Sequence, residues 1–75
     1  MSGTLAYFKD MARPTSEKIE WLRKNGFIYE KSLSGYFRLI DGRSGDIVYD
    51  DPGSEDMYDK DTAICIFYDF VKYPS

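Results

Sequence analysis

Carboxylates are the chemical groups that this sequence concentrates most strongly. Residues 46–61 contain seven Asp or Glu and one lysine, so this stretch, which we call the acidic segment, carries a net charge of −6. Residues 1–45 carry +3 and the whole chain −3, so charge is polarised along the sequence. A dense group of carboxylates can keep a loop solvated, attract a basic partner by steering, or bind a cation.

Cation binding is the least favoured of these three uses. Carboxylate oxygens suit calcium, but residues 50–56 (Asp-Asp-Pro-Gly-Ser-Glu-Asp) lack the alternating ligand spacing and the sixth-position glycine of an EF-hand loop. The chain has no histidine and a single cysteine, which rules out a tetrahedral zinc site. We therefore expect no metal and no other cofactor.

The absence of histidine also removes the common routes to catalysis. Ser-His and Cys-His nucleophilic pairs need an imidazole, as does the usual general base near neutral pH. A carboxylate pair or a lone thiol would need a cleft that 75 residues can hardly enclose. Cys65 lies in an apolar run, which indicates a small buried hydrophobe. We expect a protein that is not an enzyme and has no catalytic residues.

Tyrosines accompany the acidic segment and favour a binding role. Aromatic residues make up 17% of the chain, including seven Tyr. Exposed tyrosines beside carboxylates have the composition of a protein-binding patch, in which rigid rings anchor and charges orient. We predict that a partner binds Tyr49, Asp50, Asp51, Glu55, Asp56, Tyr58, Asp59 and Asp61. The predicted function is an inhibitor or antagonist that docks this surface onto a basic, for example nucleic-acid-binding, site of a partner protein, as small virus-encoded inhibitors of host enzymes do.

A second hypothesis assigns binding to the basic half of the chain. A basic helix and the first hairpin could present an RNA- or DNA-binding face. Its candidate residues are Arg23, Lys24, Lys31, Arg38 and Arg43, with Tyr29 and Tyr36. The sequence pI of about 4.7 argues against appreciable affinity for phosphates at physiological salt. Nucleic-acid binding is therefore the alternative function.

A short helix followed by strands must position these groups. Thr15 or Ser16 is expected to cap a helix that the left-handed residue Gly26 ends. Aromatic and β-branched residues then predict strands over 27–31 and 36–40, and a third strand over 46–50 follows the glycine-containing turn 41–45. After the Pro-Gly turn at 52–53, one helical turn could begin after Ser54.

The two ends of the chain are less clearly patterned. Residues 62–72 have both helical spacing and a strand-forming composition, and we assign a strand buried on both faces. Residues 1–13 fit either an edge strand or a helical turn. The predicted fold is therefore α+β, a single small domain over residues 1–75. It has a four-stranded, mostly antiparallel sheet with one or two short helices packed on one face.

The stretch that leaves the helix resembles a known family. The run Leu22-Arg-Lys-Asn-Gly-Phe27, a strand, Ser34-Gly-Tyr-Phe37 and a further strand are similar to the opening of the HicA-type small toxins. This resemblance covers about residues 16–41 and implies a double-stranded-RNA-binding-like fold that cuts mRNA with a strand histidine. Here Tyr36 lies near the position of that histidine, so we do not transfer the cleavage activity.

Compartment and assembly are predicted from composition. No apolar run approaches the roughly 20 residues that span a bilayer, and no secretory signal is visible at the start. One cysteine gives no disulfide framework, which is typical of a reducing setting. We expect a cytoplasmic protein without a membrane partner, either a monomer or a homodimer paired through a strand edge.

Overall fold

A three-stranded antiparallel sheet and three α-helices make up the computed structural model, which describes residues 2–74. The elements are α1 Ser2–Met11, α2 Thr15–Lys24, β1 Phe27–Lys31, β2 Phe37–Asp41, β3 Ile47–Tyr49, a 3₁₀ turn Glu55–Tyr58 and α3 Lys60–Lys72. The α+β class is confirmed. The predicted details were wrong, because the sheet has three strands instead of four and the described residues form three α-helices instead of one or two. Met1 and Ser75 lie outside the described residues.

The main correction concerns residues 62–72, which form most of α3 rather than a fourth strand. Ala63, Ile64, Phe67 and Tyr68 are buried, and this spacing is that of one helical face. The apolar run is also long for a strand, and tertiary packing outweighs the strand preference of its β-branched residues. No helix among the described residues has the length and apolarity that crossing a membrane requires.

The sheet has the order β1-β2-β3, so the chain meanders from one strand to the next. Leu39 of β2 lies between Tyr29 of β1 and Tyr49 of β3. The next residue of β2, Ile40, pairs with Ile47, which leaves Val48 as an extra residue in β3. This bulge lets the consecutive residues Val48 and Tyr49 both pack against the core.

The core lies between one face of the sheet and the helices. It joins Leu22 of α2 and Leu39 of β2 to Ile64 and Phe67 of α3, each at most 2% exposed. Met57, in the middle of the 3₁₀ turn, is 0% exposed and belongs to the same cluster. The described residues 15–72 are thus organised around one apolar cluster.

The start of α2 differs from the expected hydroxyl cap. The helix begins at Thr15, so Pro14 takes the cap position, and no side chain caps it. The amides of Glu17 and Lys18 donate to the Pro14 carbonyl instead, at 3.1 and 3.2 Å. Proline fits at the cap position because this residue is extended, with φ of −58° and ψ of 150°, and the helix does not use its missing N–H.

Helix α1 lies within residues 1–13, for which the sequence fitted either an edge strand or a helical turn. Its Tyr7 hydroxyl donates to Asp69 of α3 at 2.8 Å, and the Tyr7 ring lies 4.8 Å from that of Tyr73. On its other side Leu5 and Phe8 are 61% and 62% exposed. The helix is therefore attached to α3 through one face only.

Gly26 ends α2 in the left-handed region, with φ of +88°, as the sequence predicted. A Cβ there would lie 2.9 Å from the Arg43 guanidinium, which is the flexible end of an exposed side chain. We expect Gly26→Ala to lower the free energy of unfolding by roughly 1–2 kcal/mol, mainly from backbone strain. Urea denaturation would measure this loss.

Gly53→Ala is the matched control, because Gly53 has no positive φ and nothing lies within 4 Å of its added Cβ. Its unfolding free energy should stay within about 0.5 kcal/mol of the wild type. Equal losses at Gly26 and Gly53 would contradict the assigned role of Gly26.

Candidate functional site

The acidic segment runs from the end of the turn before β3 to the first turn of α3. All seven of its carboxylate residues are exposed. Among residues 4–74, whose side chains the structure describes, none of the seven forms an ion pair; the six ion pairs present use other acids. The single cation of the segment, Lys60, lies 5.5 Å from the centre of the Tyr29 ring instead of beside a carboxylate. The negative charge is therefore not neutralised locally.

The backbone of the segment is held at three points. Met57 is fully buried in the core. Ser54 caps the 3₁₀ turn by accepting from the Asp56 amide at 3.3 Å, which confirms the helical turn expected after Ser54. Asp59 caps α3 by accepting from the Thr62 amide at 3.0 Å and from its hydroxyl at 2.6 Å. These contacts give the carboxylates between them a defined scaffold.

The two predicted tyrosines are not brought together. Tyr58 is 50% exposed; its ring lies 6.2 Å from that of Tyr36 and packs beside Gly35 in the β1–β2 turn. Tyr49 is half-buried, with its ring 5.6 Å from Phe67 and 5.1 Å from Phe70 of α3. The predicted site residues thus fall into a Tyr58 part beside the hairpin turn and a Tyr49 part beside α3.

An apolar groove adjoins the Tyr49 part, and no pattern in the sequence indicated it. The groove has a volume of about 650 Å³ and lies between β3 and the second half of α3. Val48 and Tyr49 line it from the strand, and Phe70 and Val71 line it from the helix. Phe70 is 49% exposed there. The carboxylate that lines the groove, Asp69, accepts a hydrogen bond from Tyr7. An aromatic ring half open to water in an apolar groove is suited to receive an apolar side chain of a partner.

A second cluster of titratable groups lies where α1 meets α3, and we call it the Asp10 cluster. Asp10 is 7% exposed and is surrounded by four donors. These are Arg13, Tyr68, Lys72 and Tyr73. Burial alone would raise the pKa of Asp10, but hydrogen bonds from Lys72, Tyr73, Tyr68 and Arg13 outweigh this and hold its pKa well below the usual range. Each of the four groups contacts the carboxylate, and Arg13 and Lys72 also donate to Glu17 and Tyr68, so this cluster has the character of a structural tie.

Beside this cluster lies Lys18, which with Asp10 completes the buried charged residues of the described part of the chain, at 5% exposure. Its ammonium donates to the Met11 carbonyl at 2.6 Å and lies 3.3 Å from the Cys65 sulfur. Cys65 is half-buried, less enclosed than the apolar run had indicated. Lys18 thus joins α2 to the end of α1 and to α3.

The basic residues of the alternative hypothesis are mostly paired within the chain. Lys24 lies 3.4 Å from Glu20, Arg43 lies 3.8 Å from Asp41, and Arg38 donates to Glu30 at 2.6 Å. The pKa of Arg38 is raised, first by the hydrogen bond that Arg38 donates to Glu30, with Asp50 the last of several contributors. Only Arg23 and Lys31 of these residues form no ion pair to another described residue.

No group of three or more potential metal ligands comes together among the described residues. Comparisons of the chain with protein-family models, with curated proteins and with solved structures find no match. The similarity of residues 16–41 to the HicA-type toxins stays an observation about the sequence.

The Asp10 cluster predicts a specific dependence of stability on pH. Because the pKa of Asp10 is lowered in the folded state, its contribution is complete above the unfolded pKa of about 4 and is lost as the pH falls below that value. We expect Asp10→Asn to lower the free energy of unfolding by roughly 3 kcal/mol at pH 7. The difference from the wild type should shrink as the pH falls from about 4 to 2 in urea denaturation.

Glu20→Gln is the control for this prediction, since it removes an exposed carboxylate that faces Lys24 at 3.4 Å. Its cost should be below about 0.5 kcal/mol, as for other exposed pairs one helical turn apart. If Asp10→Asn cost no more than Glu20→Gln, or if its cost were the same at pH 7 and pH 3, the structural role of the cluster would be refuted.

Asp59 and Asp61 allow the structural and the binding roles of a carboxylate to be separated. Both are exposed residues of the acidic segment, but only Asp59 caps α3, and its Thr62 hydrogen bonds lower its pKa. We expect Asp59→Ala to lower Tm by roughly 5 °C, whereas Asp61→Ala removes the same charge with a shift of less than about 2 °C. Asp59→Asn should retain most of the wild-type Tm, and a large shift for Asp61→Ala would contradict the assignment of the cap.

Proposed function

We propose that this chain is a non-enzymatic protein-binding module, an inhibitor or antagonist that docks the acidic segment onto a basic site of a partner protein. One observation carries the proposal: the seven carboxylates of the segment are exposed and form no ion pair with any described residue. A partner's Lys or Arg would therefore gain these contacts without breaking internal ones.

The physical effect of such a surface is mainly on encounter and orientation. Exposed carboxylates that share one stretch of chain add their fields within the screening length of about 8 Å at physiological salt. They accelerate the approach of a basic partner and disfavour acidic ones, while rim charges contribute little affinity individually. Affinity then needs an anchor, and the half-exposed ring of Tyr58 and the groove beside Tyr49 offer two.

Charge pairing supports this proposal over nucleic-acid binding. The cations of the alternative face carry internal partners in Lys24, Arg38 and Arg43, so their contact with phosphates would have to replace existing pairs. The carboxylates of the acidic segment form no ion pair with a described residue, and they would repel a phosphate backbone. Nucleic-acid binding is the alternative function, and oligonucleotide binding by the wild type tests it.

The partner is proposed to be a protein with a basic surface, which includes the nucleic-acid-binding site of an enzyme. The single cysteine, which has no second thiol in the chain to pair with, suits a reducing, cytoplasmic setting for this encounter. The proposed docking residues are Tyr49, Asp50, Asp51, Glu55, Asp56, Tyr58, Asp59 and Asp61.

Charge reversal within the acidic segment tests the proposal. Asp51→Lys with Asp56→Lys replaces two exposed carboxylates that make no side-chain contact essential to the fold. In affinity capture from the native host lysate with quantitative mass spectrometry, the wild type should enrich one or a few basic proteins. The double variant should capture them at least about tenfold less well, with the wild-type excess falling as salt is raised.

Glu17→Lys with Glu20→Lys is the matched control, because it makes the same change in net charge on exposed positions of α2. Capture by this control should stay close to wild type. Unchanged capture by the Asp51/Asp56 variant would refute docking through the acidic segment. Tight oligonucleotide binding by the wild type that Arg38→Ala abolishes would establish the nucleic-acid alternative instead.

A further inference from the structure

The outer edge of β3 is open. In the order β1-β2-β3 this strand has β2 on one side only, and no described hydrogen bond outside the sheet involves residues 47–50. An exposed strand edge presents backbone N–H and C=O groups that can pair with a further strand. Short length normally limits such pairing, and β3 has three residues, so an added strand needs further contacts to bind.

Charge at this edge selects against a second copy of the chain. Asp46 precedes β3, and Asp50 and Asp51 follow it, all three exposed and outside any ion pair of the described residues. Antiparallel pairing of two β3 strands about Val48 would place Asp46 of one copy opposite Asp50 of the other. Like charges directly opposite each other destabilise a strand pair, whereas Lys or Arg on the incoming strand would be attracted.

The second edge strand, β1, lacks this preference. The carboxylate within it, Glu30, is hydrogen-bonded to Arg38 at 2.6 Å, and Lys31 ends the strand. A basic strand would thus find no unpaired carboxylate on β1. The two edges of the sheet differ in charge, and among the described residues only β3 combines an open edge with carboxylates outside any ion pair.

The groove supplies the additional contact that a short edge strand needs. Val48 and Tyr49 of β3 form one of its walls and Phe70 of α3 another. Side chains of an added strand alternate in direction, so every second one points toward the face that carries the helices. One apolar side chain there can enter the groove while its neighbours carry positive charge toward Asp46 and Asp50.

We propose that β3 accepts an extended segment of a basic partner protein as a fourth strand, with an apolar side chain in the groove and Lys or Arg beside Asp46, Asp50 and Asp51. This inference rests on the function proposed above and adds the binding mode and the chemistry of the ligand. Main-chain hydrogen bonds supply affinity, and the groove and carboxylates supply specificity.

Backbone methylation of a peptide probe separates strand addition from charge attraction. The probes are an array of eight-residue peptides that alternate Lys or Arg with Val, Ile, Phe or Tyr, and a second array with the same sequences and N-methyl groups on alternate backbone amides. The wild-type chain should bind members of the first array at least about tenfold more tightly than their methylated counterparts, because methylation removes donors from one edge. The bound peptide should shift the backbone amide resonances of residues 46–50.

Two variants complete the test. Asp46→Lys with Asp50→Lys should weaken binding of the unmethylated peptides at least about tenfold, and Glu17→Lys with Glu20→Lys should leave it unchanged. Equal binding of methylated and unmethylated peptides would overturn strand addition and leave charge-driven docking standing. Failure of both arrays to bind would overturn strand addition alone, because docking onto a folded basic site is decided by the lysate capture with the Asp51/Asp56 variant. Dimerisation of the free chain that shifts the same amides would show that a second copy occupies the edge, and would overturn the assignment of the ligand.

Discussion

Burial of Met57 is the contact on which the candidate binding surface depends. Its side chain is fully enclosed with Leu39 and Phe67, although charged residues lie on both sides of it in the sequence. Because Met57 enters the core from the middle of this charged stretch, it fixes the position of the 3₁₀ turn. The neighbouring carboxylates are then exposed to solvent. The negative surface is therefore a consequence of apolar packing, since no described cation holds these carboxylates in place.

Local sequence features predicted the parts of the fold that local chemistry determines. The end of α2 at Gly26, the strands β1 and β2 and the turn after Ser54 each follow from turn, cap or propensity preferences acting over a few residues. Residues 62–72 were assigned wrongly because their composition favours a strand, while the helix is decided by packing of Ile64 and Phe67 against Leu39. The cap of α3, Asp59, lies three residues before this segment begins.

The charge of the acidic segment predicted its exposure, but the sequence did not predict which residues lie near one another in space. Asp10 and Lys72 are near opposite ends of the chain, and no spacing rule relates them to one another. The groove likewise joins Val48 and Tyr49 to Phe70, and Val48 packs on the same side as Tyr49 because the bulge places two consecutive side chains toward the core. These features depend on the tertiary arrangement, which one sequence without its fold does not specify.

The way α1 is attached has a thermodynamic consequence. The tie combines the Asp10 cluster with the Tyr7–Asp69 hydrogen bond and one edge-to-face pair of rings, while Leu5 and Phe8 already face water. Detachment of α1 would expose little additional apolar surface to water. The heat-capacity change and the denaturant m-value of this opening would therefore both be small. Calorimetry dominated by the melting of the apolar core would scarcely register it, whereas amide hydrogen exchange would report α1 opening as a separate, less protected unit.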